Sequence, residues 1–153
     1  MITVRAETIG APEVAARIEA LKPGILAGVK GALDTWSEEL ANYIKEDKLS
    51  GNPLHQRSGA LRESITPYRR DEGDVLQGGA GGGAGLVYAH ILEYGGDIYP
   101  VRAKALRFVI DGKVIFSKHV RMPEFNYMRS SFEANADAGV QAIRDAVQEA
   151  VLA

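Results

Sequence analysis

The chain has 153 residues, of which 46% are hydrophobic and 25% are charged, and it contains no cysteine. This length and balance are typical of a single globular domain, and the lack of cysteine excludes disulfide bonds and thiolate metal sites. Because no signal-peptide pattern or membrane-spanning apolar run is present, we expect one soluble domain over residues 1–153 with no membrane partner.

Charge is distributed unevenly along the chain, although the net charge is only -2. Residues 101–121 contain six Lys or Arg and one acid, Asp111, whereas residues 122–153 contain five acids and two Arg. This pattern favours contact with further copies of the chain, or with an oppositely charged partner, over the general basicity of a nucleic-acid-binding protein.

The first third of the chain predicts a strand and two helices. Residues 2–7 alternate weakly, as in a short edge strand. Helical periodicity begins at Ala11, and Pro23 predicts a break or kink at Lys22–Pro23, because proline lacks the amide hydrogen and clashes with the preceding turn. A second helix then runs to about Lys48, and its apolar stripe consists of Ile25, Val29, Leu33, Trp36, Leu40 and Ile44.

Residues 57–85 predict a short helical turn (RSGALRESI), a strand (ITPYR), a second strand at about 74–77 and a flexible glycine loop at 78–85. The glycine run formally matches G-x-G-x-x-A at Gly79, Gly81 and Ala84. A dinucleotide site also requires a βαβ unit with an acid about 20 residues further on, and no such unit is predicted. We therefore interpret the run as a linker, with a nucleotide-binding module as the alternative.

The clearest strand signal is the hairpin ALRFVIDGKVIFSKHV at 105–120, since Asp-Gly between β-rich runs favours a type I′ turn. Its register places Ile110 opposite Lys113, Val109 opposite Val114, Phe108 opposite Ile115 and Arg107 opposite Phe116. Leu106, Phe108, Ile110 and Ile115 then share one face, and Val109, Val114 and Phe116 share the other. Apolar groups on both faces predict that both are covered, either by this chain or by a neighbouring subunit.

A last amphipathic helix is predicted at about 126–152, with Met128, Phe132, Ala136, Gly139, Ile143, Val147 and Val151 on one side. The resulting fold class is α+β. A small antiparallel sheet region at about 57–121 is bracketed by helices at about 11–48 and at the C-terminus.

Candidate chemistry is sparse. His90 and Glu93 are three residues apart, but neither His55 nor His119 shows the spacing of a third metal ligand, and no nucleophile motif accompanies them. We interpret His90 and Glu93 as structural or interfacial, and predict no catalytic, cofactor-binding or metal-binding residue. Hairpin geometry and local charge indicate Tyr88, Tyr94, Arg107, Phe116 and Arg121 as interface residues.

Three segments in order, RSGALRESI at 57–65, VYAHILEYGGDI at 87–98 and AKALRFVIDGKVIFSKHVRMP at 103–123, resemble the tail-completion, or head-to-tail joining, proteins of tailed phages and Mu-like prophages. The similarity covers about half of the chain. The family commonly has an A-R-P-F-L-like stretch after V-R-[IM]-P. Here that stretch is EFNYM, so Phe125 or Met128 is expected to take its buried role.

This resemblance implies a structural virion protein and not an enzyme. Its expected form is a homo-oligomeric ring in the neck, assembled in the host bacterial cytoplasm, that completes the tail and joins it to the head. A hexamer is expected, and a twelve-fold head-closure or adaptor ring on the connector side is the alternative. Expected partners are connector, tail-tube and tail-terminator proteins, with DNA only passing through the lumen and no cofactor.

Overall fold

The computed structural model describes residues 10–50, 59–73, 75–110 and 112–152. It confirms the α+β class. In chain order the elements are α1 (Ala11–Tyr43), a π-helical turn (Ile44–Lys48), α2 (Ala60–Ser64), β1 (Thr66–Glu72), β2 (Val75–Gly81), α3 (Val87–Tyr94), β3 (Gly96–Ile98), β4 (Leu106–Ile110), β5 (Lys113–Ser117), β6 (Val120–Met122) and α4 (Tyr127–Leu152). The strand predicted at 2–7 lies outside the described residues. Within them, no helix has both the length and the apolar character needed to cross a bilayer.

The strands form three separate antiparallel pairs, β1 with β2, β3 with β6 and β4 with β5. The predicted short turn into a strand is confirmed by α2 and β1, and the predicted last helix is confirmed by α4.

Of the break or kink predicted at Lys22–Pro23, the break is wrong, because α1 continues through Pro23. Proline removes one helical hydrogen bond and frees the carbonyl four residues earlier. That carbonyl belongs to Glu19, and residues 12–20 are all exposed, so water can replace the lost donor.

The core lies at the C-terminal end of α1. Its π-helical turn closes with a hydrogen bond from the Leu49 amide to the Ile44 carbonyl at 3.1 Å, and this wide turn brings both side chains into the interior. Around them pack Trp36, Leu40 and Ala41 of α1, Leu61 of α2 and Ile65 directly after it, Ala89 of α3 and Tyr127 of α4.

Helices α1 and α4 pack antiparallel, and small residues allow their backbones to approach closely. A Cβ at Gly139 would lie only 2.7 Å from Cε2 of Trp36, and one at Gly28 would lie 3.2 Å from the carbonyl oxygen of Ala146. The Trp36 indole donates to the Asn135 carbonyl at 2.9 Å, and its ring meets Phe132 edge to face at 5.7 Å. This contact therefore fixes both the spacing and the register of the two helices.

The β1–β2 pair lies against α1, and the glycine run takes part in that packing. Gly78 to Gly81 belong to β2, so the predicted flexible loop at 78–85 is wrong for these four residues. A Cβ at Gly78 would lie 2.9 Å from Oγ of Ser37 and 3.0 Å from Cδ2 of Leu33, and one at Gly82 would lie 2.6 Å from Cδ1 of Ile65. Glycine occurs here because the strand lies too close to its neighbours for larger side chains.

Replacing Gly78 with Ala should lower the free energy of unfolding by about 1–3 kcal/mol, because the added methyl overpacks against Ser37 and Leu33. Gly81→Ala in the same strand is the matched control, since its Cβ would lie 3.7 Å from the nearest ring atoms of Tyr68, an ordinary contact. Urea denaturation of both variants tests this. Equal stability of the two would contradict the packing role of Gly78.

Candidate functional site: an exposed arm and its anchor

Helix α3 is anchored to α4 by a buried carboxylate. Glu93 accepts hydrogen bonds from the backbone amides of Met128 at 2.8 Å and Arg129 at 3.0 Å, in the first turn of α4. A negative charge at this position satisfies amides that have no helical partner and complements the helix dipole. His90 is exposed and rests on the Tyr94 ring with centroids 4.8 Å apart. Glu93 therefore has the structural role expected of it.

Tyr127, the first residue of α4, lies beside this carboxylate. Burial, and to a lesser degree the Glu93 charge, raises the pKa of the Tyr127 hydroxyl to about 12. Tyr127 is also the buried residue of the EFNYM segment, whereas Phe125 and Met128 are only partly buried. Of the two residues expected in this role, Met128 packs against the core while partly exposed, and Tyr127 takes the fully buried position.

Part of the glycine run is used within the fold. Gly78 to Gly81 pair with β1, and the Gly83 amide donates to Oγ of Ser64 at 2.8 Å. A phosphate cradle is a glycine loop directly ahead of a helix N-terminus, whereas residues 78–81 are part of a strand. In the described part of the chain, no group of three His, Asp or Glu residues is placed to hold a metal ion.

An arm of residues 99–119 projects from the short β3–β6 ribbon. Gly95 begins the ribbon with φ of 68°, and a Cβ there would lie 2.9 Å from the Glu124 amide nitrogen and 3.0 Å from the Met122 carbonyl oxygen. Glycine is required on both grounds, conformation and space. The Y-G-G sequence thus joins the anchored end of α3 to the root of the arm.

The predicted hairpin register is confirmed at each of its four pairs, from Ile110–Lys113 to Arg107–Phe116. Both faces carry exposed apolar side chains. Val109 is 44% exposed, Val114 48% and Phe116 67% on one face, and Ile110 is 51% exposed on the other. The described residues of this chain therefore leave the hairpin largely uncovered, contrary to one of the two alternatives that the sequence left open.

At the root of the arm, the two sides of the ribbon are joined by polar and aromatic contacts. Nε2 of His119 lies 2.7 Å from Oδ1 of Asp97, and the His119 ring stacks on Tyr99 with centroids 4.8 Å apart. These contacts close the loop where the chain enters and leaves the arm.

The arm is positively charged. It holds five exposed cations, and within the described residues none of them forms an ion pair. They are Arg102, Lys104, Arg107, Lys113 and Lys118.

All five predicted interface residues are exposed, but they fall into separate groups. Arg107 and Phe116 are cross-strand neighbours in the arm, and Arg121 lies opposite Asp97 in the ribbon. Tyr88 and Tyr94 lie on α3, and no hydrogen bond or ring contact among the described residues joins them to the arm.

Sequence reasoning missed Val101, in the loop at 99–105. Val101 there is 96% exposed and Tyr99 is 60% exposed. For Val101 the only signal in the sequence was the charge beside it, Arg102 and Lys104, because the loop has no periodicity from which to infer a face.

Comparisons with protein-family models, with curated proteins and with solved structures find no match.

Replacing Glu93 with Ala should lower the free energy of unfolding by about 2–3 kcal/mol, because two amides of α4 lose a charged acceptor in a buried site. His90→Ala, three residues away on an exposed face, should change it by less than about 0.5 kcal/mol. Chemical denaturation monitored by Trp36 fluorescence measures both. Similar losses in the two variants would contradict the anchoring role.

The raised pKa of Tyr127 predicts a loss of stability at alkaline pH. An unfolded tyrosine ionises near pH 10, whereas the folded one holds its proton to about 12, so stability is intact below pH 10 and falls between these values. The loss due to this group is about 2–3 kcal/mol. Tyr127→Phe removes the titrating group, so its free energy of unfolding should fall less with pH than that of wild type over that range. Parallel curves for the two proteins would contradict this assignment.

Proposed function

We propose that this chain is a structural protein of the tailed-phage virion. In this proposal it self-associates into a ring at the neck, completing the tail and joining it to the head connector, and it has no enzymatic activity. The resemblance of three ordered segments to tail-completion proteins supports the phage assignment. The exposed arm is the observation that carries the assembly role.

The arm supports self-association because a hairpin that packs against nothing else is unfavourable in water. A two-stranded hairpin is marginally stable alone in water, and exposed apolar groups on both faces cost free energy until they are covered. Aromatic and arginine side chains are enriched at interface hot spots, and Phe116 lies directly opposite Arg107. A neighbouring subunit that covers this face would bury both residues.

The contact surface is presented by a well-anchored element. Glu93, Gly95 and the Asp97–His119 contact connect the arm to the first turn of α4. A ring needs an interface whose angle is repeated in every subunit, so a fixed root suits this function.

Replacing Phe116 with Ser should weaken self-association by about tenfold or more while leaving the fold intact, because the side chain is 67% exposed in the single chain. Val75→Ser, another exposed apolar residue on a strand, is the matched control and should associate as wild type does. Sedimentation velocity over a concentration series, with circular dichroism for folding, measures both. Equal association of the two variants would exclude the arm as the contact.

The virion role is tested separately by electron microscopy of particles that carry a tagged copy of the chain. We expect density at the junction of head and tail with six copies per particle, whereas twelve would place the ring on the connector side. A wild-type protein that stays monomeric at all concentrations and is absent from particles would overturn the proposal.

A further inference from the structure

We propose that the arm of one copy docks on an acidic face of α4 in the next copy. The acidic face is defined by Glu133, Asp137 and Val140. This inference rests on the proposed self-association and adds the identity of the partner surface.

The arm contributes an apolar face with a cation at its edge. Val109, Val114 and Phe116 share one side of the hairpin with Arg107, and all four are exposed. A partner that fits this face needs an exposed apolar side chain flanked by carboxylates.

Helix α4 offers that combination on its outer surface. Glu133 and Asp137 are one turn apart, and Val140, 48% exposed, follows three residues later, so helical spacing places the three on one face. Within the described residues neither carboxylate pairs with a cation. By contrast, Asp71 and Glu124 are paired with Lys30 and Arg129 within the chain. Both carboxylates are therefore unpaired in the single chain, and the exposed Arg144, one turn beyond Val140, is the cation that shares their side of the helix.

Charge also decides the symmetry of the contact. A two-fold contact of arm against arm would bring like charges of the two copies together, which is unfavourable. A contact of arm against acidic face joins opposite charges, and it leaves one copy with a free acidic face and the other with a free arm. Such a heterologous contact propagates from copy to copy, as a ring requires.

The decisive experiment is a charge swap measured by sedimentation equilibrium of the full chain. Arg107→Glu alone and Asp137→Arg alone should each raise the dissociation constant by about tenfold or more, because each places like charges in contact. The chain that carries both changes should return to within about threefold of wild type, since the pair is restored with reversed polarity. Wild-type association should also weaken as salt rises.

Arg17→Glu and Glu39→Arg, both at exposed positions of α1, are the matched controls and should leave association unchanged. If wild type associates but the double swap fails to recover, the acidic face is not the partner, while the ring proposal stands. If wild type does not associate at all, the proposed function fails first. Loss of low-salt binding to duplex DNA in Arg107→Glu, with association unchanged, would assign the arm to nucleic acid and overturn the inference.

Discussion

The rest of the fold depends on the close contact between Trp36 and Gly139. The indole occupies the space that any side chain at position 139 would fill, and its nitrogen donates to the Asn135 carbonyl on the same helix. This fixes α4 against α1 in one register, because sliding by a turn would place a larger residue under the ring. With α4 fixed, the position of its first turn, and so of Tyr127, follows.

The first turn of α4 in turn determines where the arm begins. Its amides require acceptors, Glu93 supplies them, and α3 is thereby held in place. Gly95 then allows the chain to pass against Met122 and Glu124, where no side chain fits. The sequence YAHILEYGG combines an anchoring carboxylate with the glycines that start the ribbon. A buried charge, often read as a catalytic signal, here connects a helix end to a projecting surface.

The features that depend on neighbouring residues in sequence were predictable, and those that depend on tertiary packing were not. The hairpin register was predictable because Asp-Gly turn chemistry fixes it without reference to the remainder of the chain. The role of the glycine run was not, since dense glycine is equally typical of a flexible linker and of a strand pressed against a helix. Only the proximity of Leu33 and Ser37, more than forty residues earlier, distinguishes the two. Whether a helix continues through Pro23 likewise depends on solvent exposure of the preceding turn, which the neighbouring residues in sequence do not reveal. Among the candidate interface residues, Arg107 and Phe116 come together through the predicted register, whereas the placement of Tyr88 and Tyr94 on a separate helix requires the tertiary structure.

Whether a heterologous contact closes into a ring or continues as a filament depends on the angle between its two surfaces. In this chain the positions of both surfaces are set by the same helix, α4. The acidic face lies on α4 itself, and the arm is tied to the first turn of α4 through Glu93 and through the ribbon that starts at Gly95. The contact between Asp97 and His119 and the stack on Tyr99 hold the two sides of that ribbon together. If the arm docks as proposed, the angle that sets the number of copies is therefore built into these few contacts near the start of α4. A change at the root of the arm would then alter ring size while leaving the docking surfaces themselves untouched.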